Sequence, residues 1–141
     1  MKSAIVTGAN GFIGGAVCRE LLEQGIAVTA IVRNKGSLAR FFEYDNLQIV
    51  EAKLTEYLDI EDKLPHGADV FYHFAWEGAY GPILGDYKQQ IKDIEYTCDA
   101  ITLASKIDCK KFIMAGTINE LELLQFFYAE KNVPRKACIY G

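Results

Sequence analysis

The sequence predicts an α/β domain built on a doubly wound parallel sheet. Short apolar runs alternate along the 141 residues with stretches whose apolar residues recur at helical spacing. Hydrophobic residues make up 50% of the chain, which allows a real core and argues against disorder. Because such alternation is typical of a parallel sheet covered on both faces, we expect five strands in the order 3-2-1-4-5. The length fits one domain, and no linker or repeat divides residues 1–141.

The first half of the chain holds three predicted strands. The apolar run Ala4–Val6 predicts the first of them. A helix follows, because apolar residues recur at helical spacing before Gly25 ends the pattern (Ile13, Val17, Leu21). The other elements of this half continue the alternation: a strand at Ile26–Val32, a short helix at 37–42, a strand at Leu47–Val50 and a helical turn at Asp59–Leu64.

The second half begins with a fourth predicted strand at Ala68–Phe74. The clearest helix of the chain comes next, with apolar residues at steps of four, three, four and three: Tyr87, Ile91, Ile94, Cys98 and Ile101. A fifth strand is predicted at Lys111–Ala115, and a further helix at 120–131.

Charge and cysteine usage exclude several classes of partner. Lys plus Arg number 15 and Asp plus Glu number 19, for a net charge of -4 without a basic cluster, so nucleic acid is not expected as a partner. No window has the length of a membrane span or a signal-peptide core. The four cysteines form neither a C-x-x-C pair nor a zinc pattern, so we expect reduced thiols, a cytoplasmic location and no metal site.

A glycine-rich turn separates the first strand from the first helix. Gly8, Gly11 and Gly14 are spaced G-x-x-G-x-x-G, which differs from the G-x-G-x-x-G dinucleotide fingerprint. Glycines let the backbone approach a ligand, and the first amides of a helix favour a phosphate or pyrophosphate. Asn10 lies where its side chain could fix the turn. The alternative is a tight turn that serves only helix–sheet packing; a P-loop is excluded because G-K-[ST] is absent.

The end of the second strand bears on the choice of cofactor. The residues there read Val-Arg-Asn-Lys, without the acid that would hold two ribose hydroxyls of NAD. Arg33 and Lys35 could instead meet a 2'-phosphate, which favours NADP. The alternative is a pair of solvated surface cations.

Four segments in order resemble the extended short-chain dehydrogenase/reductases, the NAD-dependent epimerase/dehydratase family. TGANGFIGG at 7–15 resembles the glycine signature, and YHFAW at Tyr72–Trp76 resembles the cofactor-lining motif of the fourth strand. FIMAGTINE at Phe112–Glu120 resembles the fifth strand with its catalytic hydroxyl, and IYG at Ile139–Gly141 resembles the start of Y-x-x-x-K.

The resemblance implies a cofactor, two catalytic residues and a substrate class. Thr117 would hydrogen-bond the substrate oxygen and Tyr140 would act as acid and base, with hydride supplied by NADP or NAD. The implied substrate is a nucleotide sugar or a related carbonyl or carbinol, and the implied assembly is a homodimer through the long helix. The implied cofactor contacts are Gly8, Asn10, Gly11, Phe12, Ile13, Gly14, Arg33, Leu54, Phe74, Ala75 and Trp76.

The sequence departs from the family pattern at two points. The Lys expected four residues after Tyr140 would lie past Gly141, and so would the later strands and the substrate region. We therefore expect the 141-residue chain to be inactive by itself, or else to be a non-catalytic module that binds or senses NAD(P). Lys53 stands where the family often has an acid near the adenine. His73 lies in an apolar strand and is expected to be a core histidine with satisfied hydrogen bonds.

Overall fold

The computed structural model describes residues 1–79 and 81–117. The predicted helix at 120–131 and Tyr140 lie outside this range. Five strands are present in the described part: β1 Ser3–Thr7, β2 Ala27–Val32, β3 Leu47–Glu51, β4 Val70–His73 and β5 Phe112–Met114. Two α-helices accompany them, α1 Phe12–Glu23 and α2 Tyr87–Lys106. Short 3-10 helices cover Lys35–Phe41, Leu54–Asp59, Glu61–Lys63 and Gly81–Gly85.

The five strands form one parallel sheet in the order β3-β2-β1-β4-β5, which confirms the predicted fold class and order. The two 3-10 helices Leu54–Asp59 and Gly81–Gly85 were not predicted, because segments this short carry no amphipathic period. β4 is shorter than the predicted Ala68–Phe74. It ends at His73 because the Phe74 amide donates to the Thr7 hydroxyl.

The chain divides into two compact units. The first comprises Met1–Ala75 and Glu95–Met114 and contains the whole sheet. The second includes Trp76–Ile94. Helix α2 begins in the second unit and ends in the first, so one continuous helix contributes to both.

Alternating side chains of the sheet enter two separate cores. Ile5, Ile31 and Phe71 belong to one cluster, which also contains the buried residues of the last turns of α2. Ala4, Val6 and Val28 belong to the other, which contains the buried residues of α1 and of the 3-10 helix Lys35–Phe41. Since successive strand residues point to opposite faces, these two clusters cover the two faces of the sheet.

The buried face of α1 carries smaller side chains than the apolar residues in its sequence predicted. Its buried residues are Gly14, Gly15, Cys18, Leu21 and Leu22. Ile13 shares the predicted apolar row but is 53% exposed. Small residues in the first turns let the helix backbone come close to the sheet. Burial raises the pKa of Cys18 to about 12, so the thiol stays protonated at neutral pH. Cys18 therefore serves as a buried packing residue rather than as a reactive thiol.

Helix α2 has an apolar face that points outward. The predicted row is a single face of the helix, but Tyr87, Ile91, Ile94 and Ile101 are each about half exposed. The opposite face is buried. Its first members are polar, Gln90, Asp93 and Thr97, and its later members are apolar, Ala100, Leu103 and Ala104. Among the described residues, no helix is both long enough and apolar enough to cross a membrane.

Candidate functional site

The glycine turn leads from the end of β1 into the first turn of α1. Gly8 has a φ of +65°, and the Gly11 amide donates to the Gly8 carbonyl at 2.9 Å. The N-cap is Gly11, and no side chain is hydrogen-bonded there, so Asn10 does not cap the helix. The amides of a first helical turn have no partner within the helix and carry partial positive charge. The chemistry of this donor set fits a phosphate or pyrophosphate.

Two glycines of the turn are required by close backbone approach. A Cβ on Gly8 would lie 2.7 Å from the Phe74 carbonyl carbon and 2.8 Å from the Ala75 nitrogen. A Cβ on Gly14 would overlap the Gly8 carbonyl oxygen. The Gly8 contacts place the turn against the backbone that follows β4, and the Gly14 contact places the start of α1 against the turn.

The outer side of the turn is open. Gly11 is exposed, and Phe12 and Ile13 are 94% and 53% exposed although both are large and apolar. Packing within the chain therefore accounts for Gly8 and Gly14, whereas Phe12 and Ile13 are placed where a bound molecule could cover them.

A buried polar group lies directly beneath the turn. The Thr7 hydroxyl is 2.9 Å from His73 Nδ1, and it accepts hydrogen bonds from the amides of Phe74 and Ala75 at 3.2 and 3.3 Å. The His73 ring is buried, and this desolvation lowers its pKa to about 4. The prediction of a satisfied core histidine is confirmed. Thr7 was not predicted as a site residue, because its partners lie 66 to 68 residues further along the chain.

The carboxyl end of β2 carries the residues predicted to select the cofactor. Arg33 and Lys35 are both exposed there. The Asn34 side chain accepts from the Gly36 amide at 2.8 Å and caps the 3-10 helix Lys35–Phe41. The loop is thus held in a defined conformation that presents its cations at the sheet edge.

An acid also reaches this loop, but from the neighbouring strand. Glu51 ends β3 and pairs in register with Val32, the last residue of β2. Its Oε1 accepts from the Lys35 amide at 2.8 Å. The sequence prediction examined only the end of β2 for a carboxylate and therefore missed Glu51. The signal was the parallel register, which places the ends of adjacent strands side by side.

Leu54 and Lys53 follow β3. The Leu54 side chain is 7% exposed and packs in the core with Ile5 and Phe71, so it is not exposed to a ligand. The Lys53 amide donates to the Glu56 carboxylate at 2.7 Å, which fixes the start of the 3-10 helix Leu54–Asp59.

The second unit contains a buried polar group of its own. The Trp76 indole donates to the Gln90 side chain at 3.2 Å. The Glu77 amide donates to Asp93 Oδ1 at 2.8 Å, and burial raises the pKa of the Asp93 carboxyl. These bonds tie the segment after β4 to the first turns of α2.

The structure brings together only part of the predicted site. Gly8, Gly14, Phe74 and Ala75 meet in the first unit. Trp76 and the half-buried Thr117 belong to the second unit, and Tyr140 lies outside the described residues. Within residues 1–79 and 81–117, no group of three or more His, Cys, Asp or Glu side chains is placed to hold a metal ion.

A reductase of known activity is similar to this chain along most of its length. Over 142 aligned residues, it is 27% identical to anthocyanidin reductase, (2S)-flavan-3-ol-forming, of Vitis vinifera, covering 93% of this chain and 42% of that protein. The chain therefore spans less than half the length of this curated relative.

Solved structures share the fold. UDP-glucuronic acid 4-epimerase of Bacillus cereus, solved with NAD, matches with a TM-score of 0.69 at 21% identity, over 98% of this chain and 47% of that one. Yeast methylglyoxal/isovaleraldehyde reductase Gre2, solved with NADPH, matches with a TM-score of 0.70 at 16% identity, over 83% of this chain and 38% of that one.

The family itself follows from a match over most of the chain. The family model described as the NAD dependent epimerase/dehydratase family matches residues 4–123, which include the glycine turn, β1 except for Ser3, β2 to β5 and Thr117. The chain belongs to the NAD-dependent epimerase/dehydratase family.

Proposed function

We propose that this chain is the NADP-binding part of an oxidoreductase that acts on a nucleotide sugar or a related carbonyl or carbinol. The observation that carries the proposal is the glycine turn. It leads into an exposed first turn of α1 that has no side-chain cap, and it lies against the Phe74–Ala75 backbone. The family match supports a dinucleotide as the ligand of this turn.

Each part of the site has a separate role in this proposal. The pyrophosphate lies on the first turn of α1, and Gly8 lets the backbone after β4 line the cofactor. Phe12 and Ile13 cover the bound dinucleotide with their exposed side chains. When bound, the nicotinamide supplies or accepts the hydride. Thr117 donates a hydrogen bond to the substrate oxygen, and the Tyr140 phenol gives or takes its proton.

The preference for NADP rests on the loop after β2. Arg33 and Lys35 are exposed cations at the sheet edge, where the ribose of a bound dinucleotide would lie. An Arg guanidinium pairs with a phosphate through two parallel hydrogen bonds, which NAD cannot accept at this position. NAD remains the second candidate, because Glu51 adds a carboxylate to the same loop.

Calorimetry with NADPH and NADH tests both the binding and the preference. We expect Arg33→Ala to weaken NADPH binding by roughly 1.5–3 kcal/mol, as for a charged hydrogen bond, and to leave NADH binding unchanged. Lys35→Ala is the matched control on the same loop and should have the smaller effect. Equal losses for both cofactors would show that Arg33 does not read the 2'-phosphate. No binding of either would contradict the proposed function.

Three further points belong to the proposal. The exposed apolar row of α2 supports a homodimer, since such a row is a typical association surface. Reduced cysteines without pairing motifs support a cytoplasmic location.

The 141 residues by themselves should bind cofactor without turnover. Assays of this chain with NADPH and a panel of nucleotide sugars and simple carbonyls test that expectation.

A further inference from the structure

The hydroxyl of Thr7 holds the backbone segment that lies against the glycine turn. It accepts from the Phe74 amide at 3.2 Å and from the Ala75 amide at 3.3 Å. A hydroxyl oxygen offers two lone pairs and one proton. The two amides therefore use its accepting capacity, and its own proton has to be donated elsewhere.

The acceptor for that proton is His73. Its Nδ1 is 2.9 Å from the Thr7 oxygen, the shortest of these contacts. Nδ1 accepts only when the ring proton is on Nε2. In that tautomer Nε2–H points to the Thr97 hydroxyl, 3.4 Å away on α2. With Thr7 as the donor, these two distances correspond to one of the two neutral forms of the ring.

The surroundings of His73 favour a neutral ring. Tyr57 contacts it edge-on and Phe112 is stacked on it, with ring centroids 6.1 and 5.9 Å apart. The groups that face it from β1, the 3-10 helix Leu54–Asp59, α2 and β5 are thus Thr7, Tyr57, Thr97 and Phe112. Tyr57 is the titratable one, and burial raises its pKa, so it is also neutral. Its phenol also interacts with the Thr7 side chain. Because both Thr7 lone pairs are engaged by amides, the Tyr57 oxygen would share the Thr7 proton with Nδ1, which lies 2.9 Å away.

We propose that His73 is a positioning residue for cofactor binding, which accepts the Thr7 proton at Nδ1 and thereby keeps the Thr7 oxygen turned toward the Phe74 and Ala75 amides. This inference rests on the proposed function, because the segment it positions is the one that would line the dinucleotide. A ring protonated on both nitrogens can only donate. The Thr7 oxygen would then meet donors from His73, Phe74 and Ala75 at once, and the segment beside Gly8 would have to shift.

The tautomer can be measured directly, with or without cofactor. In long-range ¹⁵N–¹H spectra of the labelled chain at pH 7, we expect His73 to show a protonated Nε2 and an unprotonated Nδ1. The assignment follows from loss of these signals in His73→Asn. A protonated Nδ1 would overturn the inference, whatever the cofactor result.

Paired substitutions test the effect on binding. In His73→Asn, the side-chain Oδ1 takes the place of Nδ1 as acceptor, so affinity for NADPH should stay within about threefold. In His73→Leu the acceptor is lost, and affinity should fall about tenfold, the equivalent of one net hydrogen bond. Thr7→Ser and Thr7→Val form the same pair at the other end of the bond. If His73→Leu does not fold, the Thr7 variants still test whether this hydrogen bond affects NADPH affinity.

A buried threonine elsewhere in the sheet serves as the matched control. Thr29 in β2 is 4% exposed and donates to Gln48, so Thr29→Val deletes a buried hydroxyl away from the turn. We expect it to bind NADPH like the unmodified chain. If His73→Leu and Thr7→Val also bind normally, His73 does not position the segment. If the unmodified chain binds no dinucleotide, the proposed function fails, while the tautomer result still decides the hydrogen-bond assignment.

Discussion

Gly8 connects β1 to the turn under two independent constraints. Its φ of +65° lies in the left-handed region, and a Cβ there would come within 2.8 Å of the Phe74 and Ala75 backbone. Backbone atoms cannot move aside as the end of a flexible side chain can. Gly25 has a similar φ of +73°, but a Cβ there would meet nothing within 4 Å. The two positions therefore separate conformational strain from steric overlap.

We expect Gly8→Ala to destabilise the chain more than Gly25→Ala does. A non-glycine residue in the left-handed region costs about 1 kcal/mol at an open position, and overlap with backbone should raise the loss at Gly8 above about 3 kcal/mol. Urea unfolding followed by circular dichroism measures both variants. Equal losses would show that the backbone after β4 yields easily, and that Gly8 is needed only for its φ.

The buried ring of His73 should make stability depend on pH. Burial lowers its pKa from 6.5 to about 4 in the folded chain, so folding favours the neutral form. The contribution is complete above the unfolded value and is lost as pH falls toward the folded value. Between pH 7 and pH 5 we expect the free energy of unfolding to drop by about 2 kcal/mol. Denaturant unfolding at a series of pH values measures this.

His73→Asn is the control for this titration, and its stability should change less over the same range. Asp69 shows the same sign of dependence in a lower window. Its pKa is held below the usual range by the Lys110 side chain first, and then by the amides of Lys2 and Ser3. Its loss should begin below about pH 5 and continue to lower pH than the loss due to His73. An unchanged slope in His73→Asn would show that another group causes the acid sensitivity.

Residues whose role follows from local spacing could be identified from the sequence, and residues whose role depends on distant partners could not. The glycines of the turn and the core position of His73 belong to the first kind. Thr7 and Glu51 belong to the second, since their partners are 66 and 16 residues away. Only the register of the parallel strands brings these groups together.

At the scale of single elements, side-chain period predicted helices better than it predicted which helix face is buried. The row of α2 that begins at Tyr87 was identified as one face, and it is exposed. The buried face carries Gln90, Asp93 and Thr97, whose polarity conceals it in a hydrophobic pattern. Their hydrogen bonds to the Trp76 indole, the Glu77 amide and the His73 ring make this burial tolerable.

Glu51, the last residue of β3, contacts the loop that follows β2 and should therefore affect the relative affinity for NADPH and NADH. In Glu51→Gln the side chain can still accept from the Lys35 amide, but its negative charge is removed. NADPH carries an extra phosphate near this loop in the proposed mode. Its affinity should therefore rise about two- to fivefold at low salt, the size expected for one exposed charge, with NADH unchanged. Fluorescence titration with both cofactors measures the ratio.

Glu51→Ala separates charge from loop geometry. It removes the same charge but also the partner of the Lys35 amide, so it should gain less NADPH affinity than Glu51→Gln. A loss of NADH affinity in both variants would instead assign Glu51 to the ribose hydroxyls. That result would contradict the proposed preference for NADP and favour NAD instead.

For the whole molecule, strand order followed from the alternation of strands and helices, because right-handed crossovers leave few arrangements of five parallel strands. The division at Ala75 and Glu95 was not predicted. Gly78, Gly81 and Pro82 lie close after Ala75, but at Glu95 helix α2 continues through the boundary. A boundary inside a regular helix has no compositional signal, since helix propensity does not report which residues pack together.

The exposed apolar face of α2 predicts that the chain associates with a second copy of itself. Ile91 and Ile94 are 51% and 57% exposed on one helix face, and exposed apolar side chains of this kind favour association. We expect sedimentation to show a dimer, and Ile91→Glu with Ile94→Glu to shift it to monomer, because paired carboxylates would be buried without partners. Lys92→Glu changes charge by more than either substitution, but on an exposed residue outside the row, and should leave the dimer intact. A monomer for the unmodified chain at all concentrations would contradict association through this face. Dissociation by Lys92→Glu as well would point to net charge as the cause, rather than to the apolar row.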